Sequence, residues 1–328
     1  MIPKTFDQSC KNAQSSHYNC IIEQQLQYKE RYINQHILAQ DVLSLQIQNN
    51  TIISAKWTVI HPKRKLQFMQ MIIDIIAKFR IKDGFVNINV ADFPINGCFN
   101  FCQPKNLPIG FLIPNHRFAY NDFEISSNSS KSLRNHDDII RFFQVQNASI
   151  PFQSKVPKLF SNGGLWYDQR LEFVKYALDN LDVCDFYAHN HPVHKFGTQI
   201  NTNDLQKIFS CGKGGSVHQP FDVHNQYKYI LYVDGNALAD RMRLLLMLNS
   251  VPIVLKSKWK EFYTDILVPY ENFIPCERVT DIRSIVESLE KNPERSMRII
   301  ENNQKFVKEK FQYEHILKYA AELINGLL

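Results

Sequence analysis

Residues Tyr227 to Pro275 read YKYILYVDGNALADRMRLLLMLNSVPIVLKSKWKEFYTDILVPYENFIP. The stretch opens on Tyr227–Val233, a run of aromatic and branched residues that predicts a strand buried on both faces. Asp234-Gly235-Asn236 closes that strand. The apolar run Ala237–Asn249 predicts a helix, and Val251–Leu255 a second buried strand, with Pro252 tolerated because it lies at the strand's start. Strand, tight turn, helix and strand make half of a doubly wound sheet, whose ligands bind at the carboxyl ends of the strands beside helix N-termini. Arg241 falls in the first turns of the expected helix. A cation there opposes the helix dipole and calls for an anion. The residues leave two readings open: satisfaction by Asp240 or solvent, or a bound phosphate.

Working outward, Ile21–Gln40 reads as a polar amphipathic helix. Leu43–Ile47 and Thr51–Trp57 form an expected hairpin around Gln48-Asn49-Asn50. Lys63–Phe79 is a clear helix with Phe68, Met71, Ile72, Ile75 and Ile76 on one face, and Phe85–Val90 is a strand. Residues 96–137 are loop-rich, and a linker is expected near Asn147–Pro157. Val156–Phe160 and Gln169–Asp179 then open a second domain as strand and helix, and the periodic Asn303–Leu328 forms closing helices. The expected organisation is a first domain at 1–150, a second at 151–305 and a terminal helix at 306–328. No internal repeat interrupts this order.

The chain has 328 residues, enough for two domains, and its 44% apolar and 21% charged content is globular. A net charge of +6 without a basic stripe excludes a nucleic-acid binder. Lys63-Arg64-Lys65, the densest basic patch, reads as a solvated helix face. The first twenty residues lack an apolar signal region, and runs such as Leu244–Leu248 are too short to span a membrane, so a cytoplasmic protein is expected. Seven irregularly spaced cysteines suit a reducing compartment, where the sequons at Asn128 and Asn147 would stay unmodified. No metal is expected: Asp137-Asp138 is adjacent in a polar loop, His189, His191 and His194 share a proline-containing loop, and Cys98 and Cys102 lack a second pair. Cys211–Ser216 is glycine-rich but lacks the spacing of a P-loop.

Two features could carry chemistry. Asp92, after the strand Phe85–Val90, could serve as a general base or cap the turn before Pro94. Phe160-Ser161-Asn162-Gly163-Gly164, followed by Arg170, could be a glycine loop approached closely by a phosphate or an ordinary turn.

The order Lys228-Tyr229, Gly235 to Arg241, Ser250-Val251, Trp259, Phe262-Tyr263, Pro269-Tyr270 and Phe273-Ile274-Pro275 resembles glycosyltransferase family 90, which holds fungal capsule-associated proteins and protein O-glucosyltransferases. Asn89, Val90, Asp92, Phe93 and Pro94 match the family's N-V-R-D-[YF]-P segment, with Ala91 in place of its Arg. The family's F-R-G-S loop corresponds to Phe160–Gly163, with Ser161 in place of its Arg. The resemblance implies an α/β fold of GT-B type, two Rossmann-like domains facing across a cleft, with the terminal helix crossing back onto the first. It implies an inverting, metal-independent transfer from a UDP-α-sugar, glucose or xylose, to a hydroxyl of a glycan or glycoprotein, giving a β-linkage. No cofactor is expected beyond the UDP-sugar donor. Asp92 would be the base, with Phe93 and Pro94 on the acceptor side. Arg241, Gly235, Asn236, Ala237, Ala239, Gly163, Gly164 and Arg170 would bind the donor. Compact members without a signal occur in microbes and large viruses. The competing expectation is a non-catalytic sugar-nucleotide or glycan binder, which the departures at Ala91 and Ser161 keep open.

Overall fold

A computed structural model describes residues 17–35, 41–57, 62–106, 111–121, 124–126, 133–165, 168–189, 206–208, 210, 213–215, 219–235 and 237–328. The elements run α1 (His17–Leu26), β1 (Val42–Gln48), β2 (Thr51–Lys56), α2 (Pro62–Lys78), β3 (Gly84–Asn89), β4 (Phe99–Asn100), β5 (Gln103–Pro104) and β6 (Phe111–Leu112). Next come α3 (His136–Ser149), β7 (Val156–Gly164), α4 (Asp168–Leu178), β8 (Cys184–His189), β9 (Gly214–Gly215), α5 (Phe221–His224) and β10 (Tyr227–Tyr232). The remainder is α6 (Met242–Leu245), β11 (Val251–Leu255), β12 (Trp259–Lys260), β13 (Ile274–Cys276), α7 (Ile282–Lys291), α8 (Pro293–Lys310) and α9 (Tyr313–Leu327). The chain forms two compact units: Met1–Asn121 with Lys258–Leu267 and Lys310–Leu328, and Asp122–Ser257 with Val268–Glu309.

The first unit carries a mixed sheet in the order β2-β1-β3-β4-β6, antiparallel at β2-β1-β3 and parallel at β3-β4-β6. The hairpin expected around Gln48–Asn50 is present, and Asn49 and Asn50 take the positive φ (49° and 57°) that its tight turn demands. Helix α2 buries Phe68, Met71, Ile72 and Ile75, the face its periodicity announces. Helix α1 is shorter than the expected 21–40 span and ends at Leu26. Gly84, at φ 154°, closes against Leu328, whose Cδ2 would lie 2.7 Å from any added Cβ. An aromatic cluster of Tyr18, Phe118, Phe262, Tyr263, Phe311 and Tyr319 fills the core beside α1 and α9.

The second unit is a fully parallel six-stranded sheet in the order β13-β11-β10-β7-β8-β9. Succession runs outward from the centre both ways, β7 to β9 on one side and β10 to β13 on the other. The switch in direction therefore falls between β7 and β10. Leu159, Phe186, Tyr229, Leu231, Ile253 and Val286 belong to one buried cluster that binds sheet to helices. At the amino end of the sheet, Asn147 of α3 donates to the Met247 carbonyl (2.9 Å) and accepts from Asn249 N (3.0 Å) and Asn225 Nδ2 (3.1 Å). These bonds tie α3 to the second unit, which thus begins ahead of the expected boundary at 150. Asp137 and Asp138, expected in a loop, stand in the first turn of α3 behind the Asn135 cap, where acidic groups suit the helix dipole.

Cys98, Cys102, Cys184 and Cys276 are buried and in no disulfide, whereas Cys20 is disulfide-bonded. Burial pushes the Cys98 and Cys184 thiols up to about 12 and that of Cys276 up to about 11, so these three are inert packing residues. Among the described residues no helix is long and apolar enough to cross a membrane.

Candidate functional site

The carboxyl ends of β7 and β10 meet at the switch point of the parallel sheet, where open α/β folds leave a crevice for ligands. Gly163 and Gly164 lie here, inside β7 rather than in the loop the sequence suggested, because the strand continues to pair with β8 at Ala188 and His189. Glycine at 163 leaves the space above it to two side chains: an added Cβ would lie 3.2 Å from Arg170 Nη1, tighter than usual, and 3.5 Å from Arg241 Nη2. Gly235 stands under the same group, its Cβ position 3.4 Å from Arg170 Nη2. Two guanidinium groups thus converge over one strand end. A small cavity at this point is lined by Ser161, Gly163, Arg170, Tyr187, Val233 and Arg241.

Each arginine is held by backbone oxygens. Arg170, two residues into α4, donates Nε to the Asp234 carbonyl (2.9 Å) and Nη1 to the Gly164 carbonyl (3.3 Å). Arg241 donates Nη1 to the Asn162 carbonyl. The helix expected over Ala237–Asn249 is a single turn, α6, and Arg241 is its N-cap residue. The chain before it spends its backbone groups in local turns, Gly235 N to the Ala237 carbonyl (3.0 Å) and Arg241 N to the Ala239 carbonyl (2.7 Å), so no helical ladder can start earlier. Ala237 and Ala239 are buried there, and Asn236 lies outside the described residues. Arg241 is half-buried, and among the described residues no carboxylate pairs with it. Burial presses its pKa below the ordinary guanidinium value, with Tyr232 partly offsetting the effect. Like charges brought together at low dielectric repel, and an anion of two or more charges reverses the sign of that interaction.

Asp92 belongs to the first unit. The turn that carries it is closed by Asn89: its Oδ1 accepts from Ala91 N (2.9 Å), and its Nδ2 donates to the Phe93 carbonyl (2.7 Å) and to Asn100 Oδ1 (2.8 Å). The Cys102 thiol donates to the Asp92 carbonyl at 3.4 Å. With Asn89 capping the turn, the Asp92 carboxylate is directed to Arg64 of α2, whose Nη1 donates to Asp92 Oδ1 (2.8 Å) and to the Val90 carbonyl (2.9 Å). Phe93 is exposed and stands against Trp259, ring centroids 6.0 Å apart, while Pro94 is half-buried beside it.

Sequence reasoning missed Arg64. Of the patch Lys63-Arg64-Lys65, Lys63 is exposed as expected, but Lys65 is buried, with a pKa lowered by that burial and partly restored by Asp41, and Arg64 is engaged. The available signal was an arginine in the first turn of α2, where the dipole disfavours a cation without a partner. The structure brings Gly163, Gly164, Gly235, Arg170 and Arg241 together in the second unit, and places Asp92, Phe93 and Pro94 together in the first. Of the histidine cluster, His191 and His194 lie outside the described residues, as do Asn128 and Cys211.

The sequence model described as Glycosyl transferase family 90 matches residues 10–327. "Uncharacterized protein 035R" of Invertebrate iridescent virus 3 is 25% identical over 297 residues, covering 80% of this chain and 26% of that protein. Protein O-glucosyltransferase 1 of Homo sapiens is 23% identical over 103 residues, 31% of this chain and 26% of that protein. The chain thus spans about a quarter of the length of these curated relatives. Among solved structures, Anabaena Alr3699/HepE in complex with UDP-glucose superposes with a TM-score of 0.38 at 11% identity, over 55% of this chain and 51% of that one.

Proposed function

The chain belongs to glycosyl transferase family 90, and from that membership we propose that it transfers a sugar from a UDP-sugar to an acceptor hydroxyl on a glycan or glycoprotein. The observation that carries this reading is the pair Arg170 and Arg241 over Gly163, a dicationic site at the switch point of a parallel sheet. A diphosphate has the charge to occupy it. Glucose and xylose are the favoured sugars, glucose having the support of the O-glucosyltransferase names among the relatives.

Asp92 accepts the proton of the acceptor hydroxyl as its oxygen bonds to the anomeric carbon. The bond from that carbon to UDP breaks, and UDP leaves with the electron pair. Charge growing on the diphosphate is met by Arg241 and Arg170, fixed donors that need no reorganisation at the moment of reaction. With a single carboxylate and no second nucleophile in the matched motifs, the displacement is single, so a UDP-α-sugar yields a β-linked product. With two guanidinium groups supplying the counter-charge and no Asp-x-Asp pair in the sequence, turnover is expected to persist in excess EDTA.

The experiment is UDP release from UDP-glucose and UDP-xylose by the wild type and by Asp92→Asn. The variant is expected to bind UDP with near-normal affinity while losing about 10²-fold or more in rate. Turnover unchanged in Asp92→Asn, or retention of configuration in the product by NMR, would overturn the mechanism. Binding of UDP without turnover by the wild type would favour a non-catalytic sugar-nucleotide binder.

A further inference from the structure

We infer that Arg64 is a positioning residue for the base: by donating to the Val90 carbonyl and the Asp92 carboxylate at once, it sets the carboxylate's direction against the end of β3. The inference rests on the reading of Asp92 as the base.

Three observations lead here. First, the pair is poor as a stabilising device, since the Arg64 and Asp92 side chains are 26% and 33% exposed and a pair so open to water contributes little to folding. Second, the bonding is referenced to fixed backbone. Val90 N donates to the Asp41 carbonyl (2.8 Å), and the turn after Val90 is locked by Asn89 and Asn100, so a guanidinium on the Val90 carbonyl is tied to the sheet. Third, α2 carries this cation in its first turn, where the helix dipole opposes it, and a carboxylate partner offsets that opposition. The Asp92 carboxylate thereby keeps one oxygen on Arg64 while its backbone is held by Cys102 and the Asn89 turn.

Arg64 of α2 and the Cys102 thiol bond Asp92 directly, and Lys65 of α2 interacts with Asp41, whose carbonyl accepts from Val90 N. Of these, Arg64 makes the direct ion pair with the carboxylate. A cation at this distance favours the ionised carboxylate, so its loss moves the base's titration upward.

The test uses the whole chain with Arg64→Met and Arg64→Lys, following UDP release from UDP-glucose or UDP-xylose, whichever turns over, between pH 5 and 9. Arg64→Met is expected to lower kcat about tenfold or more with the donor KM within about twofold. The acidic limb of its pH–rate profile should rise by about one unit, and added guanidinium ion should restore part of the rate. Arg64→Lys, which keeps the charge but loses the planar fork, should lower kcat without moving that limb. An unmoved limb in Arg64→Met with no rescue, or a donor KM that rises with the loss of kcat, overturns the inference. Should Arg64→Met not fold, a wild-type rate in Arg64→Lys overturns it as well. Full activity in Asp92→Asn would instead overturn the reading of the base, which separates the two failures.

Discussion

At the scale of residues, the donor site turns on how two guanidinium groups are kept side by side. Arg241 has the Asn162 carbonyl as its anchor, and Arg170 the carbonyls of Asp234 and Gly164. Truncating Arg241 to Ala should therefore leave the sheet intact while raising the donor KM and lowering kcat, together about 2–4 kcal/mol of transition-state stabilisation. Unchanged kinetics in a folded Arg241→Ala would remove that residue from the site. Gly163→Ala tests the geometry more finely. Its Cβ would reach Arg170 Nη1 at 3.2 Å, so the guanidinium must give by a few tenths of an ångström. A several-fold rise in donor KM with little change in melting temperature is expected, and steady-state kinetics beside a thermal melt decide it. Both arginines stood out in the sequence because they follow small-residue segments after buried strands. Arg64 did not, since its partner lies 28 residues away and the pairing exists only after α2 and the end of β3 are in place.

Among elements, strands were legible and helix limits less so. Runs such as Tyr229–Val233 and Val251–Leu255 carry their branched and aromatic residues on both faces, and they are buried accordingly. The stretch Ala237–Asn249 is as apolar as a core helix, but its burial comes from packing in turns, and composition cannot distinguish the two. The amino end of the second sheet makes a different kind of prediction. Lys155 is buried just before β7, its Nζ donating to Asn225 Oδ1 (2.6 Å) and Ser250 Oγ (3.1 Å), and burial pushes its pKa down to about 7. Between that value and the ordinary lysine value of about 10.4, the unfolded chain holds a proton that the folded chain does not. The contribution of Lys155 to stability thus rises with pH above about 7, and falls as pH drops toward 7. Urea midpoints from pH 7 to 9 should rise less steeply in Lys155→Met than in the wild type, and parallel slopes would refute the assignment. In the first unit, Tyr319 of α9 donates to the Leu112 carbonyl (2.7 Å) and accepts from Gln25 Nε2 (2.6 Å), joining α9, β6 and α1 in the core. Tyr319→Phe should cost about 1–3 kcal/mol in chemical denaturation, because two buried groups lose their partner.

For the molecule as a whole, an α/β class was readable from the strand–turn–helix–strand order, whereas the partition of the chain was not. The linker expected near 147–157 takes its place from the loop-rich stretch 96–137 before it, but α3 is held to the second unit by Asn147, whose three bonds reach residues some 80 to 100 positions away. A fragment of residues 151–305 should accordingly fail to give a cooperative melt or to bind UDP, while one that begins at 122 and ends at 309 retains α3. Calorimetry and UDP titration of the two would show it, and equal behaviour would restore the earlier boundary. The same partition bears on how the protein comes into being. The first unit cannot be finished until residues 310–328 exist, and by then every residue of the second unit, which closes at Glu309, has already been made. Nascent chains emerge at about 5–20 residues per second and fold in units as they do so. The amino-terminal part, with no α9 to pack against α1 and α2, must wait on the ribosome for some tens of seconds behind a neighbour that matures first. The piece that is born first is therefore the last to be complete, and arrested chains ending before residue 310 should expose it to protease.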